Sequence, residues 1–196
     1  MRCRRGRSPP AGRPDTGTVV AMAAGESRRK LVAAAGSSLF FALAPGVVAG
    51  LVPWWLTGWD AGRPSAVWIP VRVAGAVLLV VSAAALVRAF ARFAVEGIGT
   101  PAPAAPTEIL VVGGLYRYVR NPMYLAVVGA IVGQALVLAR PTLLLYAAAV
   151  GAVTAAFAHW YEEPTLLRQF GDQYEAYRRA VPAWWPRRHA WHAPPS

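Results

Sequence analysis

Cysteine is nearly absent from this chain of 196 residues, with Cys3 alone. One thiol excludes a disulfide framework and a cysteine-based metal site. Histidine is almost as scarce, and His159, His189 and His192 fall at no spacing that holds a metal ion, so no metal is expected. Charge is thin: 15 % of residues are Asp, Glu, Lys or Arg, and only 9 are acidic against 20 basic. With 56 % hydrophobic residues and a mean hydropathy of +0.39, this is not the composition of an ordinary water-soluble domain. The net charge of +11 would suit nucleic acid if it lay along one amphipathic element. The basic residues lie instead between apolar runs, as in loops on the cytoplasmic side of a membrane. The bilayer, not nucleic acid, is the expected partner.

Residues 1–30 are rich in Arg, Gly, Pro and Ser and read as a disordered basic segment. No apolar stretch with a small-residue cleavage site makes them a signal peptide. The run from Met22 reads like a natural start, so residues 1–21 are a candidate misassigned extension. Without their five Arg and one Asp the charge is +7, still basic.

Four apolar stretches follow. The first, 31–56, is interrupted by Pro45 and Pro53, which predicts a kinked helix whose freed backbone groups are satisfied by neighbours. Trp54, Trp55 and Trp59 suit an interfacial belt. The second, 67–93, has Arg72 near one end and Arg88 and Arg92 near the other, leaving roughly 20 apolar positions to span the hydrocarbon. The third runs over 121–138 and the fourth over 142–161. Arg140 and Pro141 turn between them, so they should form a helical hairpin. Small residues such as Ala126, Gly129, Gly133, Gly151 and Ala155 would let the two backbones approach closely. The distribution of Arg places both termini and the proline-rich 97–106 loop on the cytoplasmic side. After Pro164, Leu166, Leu167, Phe170, Tyr174, Tyr177 and Val181 recur at three- and four-residue spacing, predicting an amphipathic helix at the membrane edge. Trp184 and Trp185 then suit headgroup depth. The expected fold is an all-α integral membrane protein with about four transmembrane helices and one cytoplasmic amphipathic helix. Residues 31–186 form its domain and 187–196 a tail.

Two stretches stand out chemically. Gly113 to Tyr124 is a glycine turn, then an aromatic and cationic run, then Asn121 and Pro122 placed to cap and open a helix. Arg117 and Arg120 also serve as topology-setting charges, and Tyr116, Tyr118 and Tyr124 as belt aromatics. The second stretch, Tyr161, Glu162 and Glu163 before Pro164, ends the fourth apolar run. One glutamate suits the start of the next helix; two are harder to explain that way. Adjacent helical positions diverge by about 100°. One carboxylate can therefore face a pocket while the other pairs with an arginine. His159 reads as a packing or interfacial residue.

Gly99 to Pro103, Gly114 to Tyr124, Glu162 to Leu166, Phe170 to Tyr177, and Val181 with Pro182, in that order, closely resemble the isoprenylcysteine carboxyl methyltransferase family of integral membrane enzymes. The related phospholipid N-methyltransferases share much of the pattern. The resemblance covers about residues 88–186. It implies S-adenosyl-L-methionine as methyl donor and a lipophilic or prenylated acceptor reached from the bilayer. By that match Tyr116, Arg120, Asn121, Pro122 and Tyr124 line the cofactor pocket on one side, and Tyr161, Glu162, Glu163 and Leu166 on the other. The eukaryotic carboxyl methyltransferases have His where this chain has Asn121, which leaves the acceptor open. No part of the chain resembles the glycine-rich loop of soluble methyltransferases. Two alternatives stand beside this reading: methylation of a phospholipid or other lipid amine, and a non-catalytic membrane scaffold or transporter subunit. No catalytic base is assigned.

Overall fold

The computed structural model describes residues 43–62, 65–96 and 110–192. The basic segment 1–30, the 97–106 loop and Arg63 lie outside them. Every regular element among the described residues is helical. α1 is Leu43–Thr57. α2 is Ile69–Glu96, α3 is Pro122–Leu138, α4 is Pro141–Phe157 and α5 is Glu163–Ala180. Pro122 and Pro141 each stand in the first turn of a helix, where a missing N–H leaves nothing unsatisfied, whereas Pro164 follows helical residues without a break.

Ala66–Arg92 and the helical run Pro141–Ala180, which kinks at Gly171 (φ +49°, ψ -126°), are long and apolar enough to cross a bilayer. Only 17 % of the most apolar stretch of each is buried within the protein, unlike the core helix of a water-soluble domain. Val73, Val77, Val80 and Val81 of α2, and Leu144, Leu145 and Val153 of α4, point outward. The chain is therefore an all-α membrane protein. Of the four predicted crossings, two meet the length requirement and two apolar helices are shorter. The 17 residues of α3 reach about 26 Å against ~30 Å of hydrocarbon, and the described part of α1 is shorter still.

The predicted break in α1 is present and satisfied from outside. Pro53 has no N–H to give the carbonyl of Ala49, four residues earlier. Gln134 of α3 supplies the donor instead, its Nε2 2.6 Å from that oxygen. Upstream, Val47–Leu51 widens into a π-turn, and the Tyr146 hydroxyl of α4 donates to the Val48 carbonyl at 3.0 Å. In hydrocarbon no water could replace these donors.

The hairpin of α3 and α4 forms, with a core of Val127, Ile131, Ala135, Leu138, Leu143 and Ala147. The closest backbone approach lies elsewhere, between α3 and α2. A Cβ on Gly133 would sit 2.8 Å from the Leu79 nitrogen, and one on Gly75 would sit 2.9 Å from the Gly133 carbonyl. A Cβ on Gly151 of α4 would make only an ordinary 3.8 Å contact with Val128. The small residues of α3 thus serve mainly its contact with α2, because Gly75 lets that helix come nearest. The result fixes the start of α3 beside the end of α2.

Candidate functional site

Gly114 adopts φ +58°, a left-handed turn open to glycine, and its bare face lies against the side chain of Arg92. The short 3-10 turn Gly114–Arg117 then carries Tyr116 inward, to pack with Ala89, Val111 and Met123. Asn121 stands at the N-cap of α3, but its side chain makes no capping bond there. Across from this edge, α4 passes into a π-turn, Ala158–Glu162, which rotates Glu162 and Glu163 relative to the rest of α4.

The two edges meet. Tyr124 donates its hydroxyl to Glu162 Oε1 at 2.5 Å. Arg120 Nη1 lies 2.7 Å from Glu163 Oε1 and also donates to the Tyr174 hydroxyl at 3.2 Å. Arg178 approaches the other Glu163 oxygen at 3.8 Å. The Arg120 and Glu163 side chains are 13 % and 17 % exposed, so this pair is largely withdrawn from water. The carboxylates diverge as adjacent helical positions must: Glu163 faces arginine, Glu162 faces a phenol.

Their electrostatics differ accordingly. Among the described residues, no cationic side chain forms an ion pair with Glu162. Burial pushes its carboxyl above the usual range; the Tyr124 hydrogen bond pulls it down and the charge of Glu163 raises it again. The same negative charge, after burial, holds the Tyr116 hydroxyl well above its usual range. Arg120 Nε is buried and has no hydrogen-bond partner. The site therefore holds a carboxylate with no ion-pair partner among the described residues and, on the guanidinium that its neighbour Glu163 holds, an unused donor.

A third element, unanticipated by the sequence reading, closes over this meeting point. Val181 is fully buried with Leu110, Tyr174 and Tyr177, and the chain beyond it runs antiparallel to residues 117–121. Arg120 N donates to the Pro182 carbonyl at 3.0 Å, and Asn121 donates to the Ala183 carbonyl through both N and Nδ2, each at 3.3 Å. Arg187 N reaches the Tyr118 carbonyl, and Arg117 and Trp191 exchange bonds through Arg117 Nε and Trp191 N. Tyr177 donates to the Tyr116 carbonyl at 2.6 Å. Trp184 stacks on Tyr124, with ring centroids 6.4 Å apart. Trp185 is 82 % exposed, as its interfacial assignment anticipates; Trp184 is not.

Of the nine residues singled out from the sequence, Arg120, Glu163, Tyr124 and Glu162 are joined directly, and Tyr116 lies within the field of Glu162. Asn121 holds the strap, Pro122 is buried at the first position of α3, and Leu166 packs with Tyr174, Tyr177 and Val181. Tyr161 is apart from them: its ring stacks on Phe157 at 5.1 Å and it is 46 % exposed. His159 is exposed beside Trp160. Tyr174 and Tyr177 entered the sequence reading as apolar positions and within the resembling stretch but with no role of their own, because helical spacing reveals a buried face and not what a hydroxyl on it will bind. Among the described residues no group of His, Cys, Asp and Glu could hold a metal ion.

No curated protein and no solved structure matches the chain. The phospholipid methyltransferase family does match, over residues 70–173, more than half the chain and across both edges of the site. The chain belongs to this family of methyltransferases.

Proposed function

We propose that the chain is an S-adenosyl-L-methionine-dependent methyltransferase, similar to the isoprenylcysteine carboxyl methyltransferases. It acts on a lipophilic acceptor at the cytoplasmic edge of the cell membrane. The observation that carries this reading is Glu162: a mostly buried carboxylate with no ion-pair partner among the described residues, next in sequence to the glutamate that holds an arginine with a free donor. A ligand bearing both a cationic centre and a carboxylate complements that pair, and the methyl donor bears both.

When bound, the donor supplies an electrophilic methyl group whose bond to sulfur breaks as the acceptor's bond to carbon forms, the electron pair leaving on a neutral thioether. Glu162 balances positive charge. Arg120 Nε, which has no partner, would hold a carboxylate while its Nη1 stays on Glu163. Tyr116, Tyr124 and Leu166 exclude water, so that the two reactants can be aligned in a dry site. A carboxylate acceptor is already nucleophilic and asks for no base.

A second reading, methylation of a phospholipid amine, is favoured by the family match and by the raised proton affinity of Glu162. An amine must lose a proton, and a carboxyl titrating closer to neutrality can accept one. The test is transfer of radiolabelled methyl from S-adenosylmethionine into lipid-extractable material by protein in nanodiscs. Base-labile label identifies an ester and base-stable label a methylamine. No enzyme-dependent label in either fraction, with prenylated cysteine and total lipid offered, would sink the proposal.

A further inference from the structure

We propose that Trp184 is the aromatic residue that recognises the donor's positive sulfur, held in place by the grip of Asn121 on Ala183. The inference rests on the donor reading above. Three bonds fix the backbone just before Trp184: Arg120 N to Pro182, and the two from Asn121 to Ala183. Arg187 N to Tyr118 fixes it just after, at 3.0 Å. Between these anchors the chain bends over residues 183–185. Trp185 goes outward, while Trp184 turns in and lies within 30° of parallel to the Tyr124 ring. Tyr124 in turn holds Glu162 through its hydroxyl. A tryptophan face, a tyrosine face and an unpaired carboxylate are thus consecutive neighbours.

Headgroup anchoring explains Trp185 but not a ring stacked against the site. An indole face attracts a cation more strongly than any other side-chain ring, and it has no such attraction for a neutral thioether. A donor with a sulfonium and a product without one would therefore be distinguished by this residue. It would favour binding of the one and release of the other. Asn121 matters here through its amide: Nδ2–H donates to the Ala183 carbonyl, while Oδ1 accepts no capping bond from α3.

The test compares affinities of S-adenosylmethionine and S-adenosylhomocysteine for the full chain in nanodiscs. W184L, which keeps bulk and loses the aromatic face, should weaken the sulfonium ligand about 5- to 30-fold and the thioether less than about 3-fold. W184F should retain most of the preference, and N121A should lose part of it. If W184L does not fold, W184F still decides the matter, since phenylalanine is the weaker face and the ratio should fall modestly. Equal losses for both ligands, or an unchanged ratio, would show that Trp184 only fills space and overturn the inference. Wild-type protein that binds neither ligand would overturn the donor reading itself, a result distinct from a change of ratio.

Discussion

Each end of the helical bundle carries an arginine paired with an acid at 2.7 Å, and the two pairs are not alike. At the end where α3 turns into α4, Arg140 meets Asp60, with side chains 39 % and 74 % exposed. Nearby Arg72 covers the Val137 carbonyl at the end of α3. These contacts tie a turn together in water, where an ion pair is screened and contributes little. At the other end Arg120 and Glu163 are shielded, share Tyr174 and Arg178, and leave Glu162 uncompensated beside them. Distance alone does not separate a clasp from a site. Burial and unbalanced charge do.

The largest effect should come from breaking the buried pair. Glu163→Ala leaves Arg120 without its main partner in a withdrawn setting, so we expect a loss of about 3–5 kcal/mol in stability and loss of methyl transfer. Thermal unfolding in nanodiscs with an activity assay measures both. Next comes Glu162→Gln, which keeps an acceptor for Tyr124 and removes the charge. Donor affinity should fall by about 30-fold, roughly 2 kcal/mol. A carboxyl whose folded pKa is raised loses stability as pH rises through that value, so the ligand-free glutamine variant should be no less stable than wild type at neutral pH. A variant that instead unfolds would assign Glu162 a structural role.

The third prediction concerns pH. If Glu162 must be ionised to balance a cation, donor affinity is present at high pH and lost as pH falls through its folded pKa. Because burial raises that value, the midpoint of the loss should lie above the ordinary glutamate range of about 4.3. Glu162→Gln should flatten this limb of the binding profile, and a limb that persists in the variant would assign it to another group. The smallest effect belongs to the exposed clasp: Arg140→Ala should cost about 1 kcal/mol or less and leave donor binding unchanged. A large loss of binding there would show that the two ends are coupled through α3.

The membrane fold was legible because hydropathy and proline placement are local properties. Pro122 and Pro141 open helices where the sequence puts them, and the interrupted α1 borrows donors from Gln134 and Tyr146. The divergence of Glu162 from Glu163 follows from helical geometry alone. What stayed hidden depends on partners far along the chain. The preference of α3 for α2 turns on Gly75, a lone glycine whose meaning appears only opposite Gly133. Asn121 carries a capping signature, yet its side chain binds Ala183, 62 residues away. The role of Trp184 was likewise masked by the bland explanation that fits its neighbour Trp185.

Equilibrium binding of radiolabelled S-adenosylmethionine to wild type, Glu162→Gln and Arg140→Ala in nanodiscs probes the central claim most directly. Saturable binding in wild type and Arg140→Ala, with about 30-fold weaker binding in Glu162→Gln, is the result predicted. Equal affinity in all three proteins would contradict it, since the unpaired carboxylate would then have no part in holding the donor.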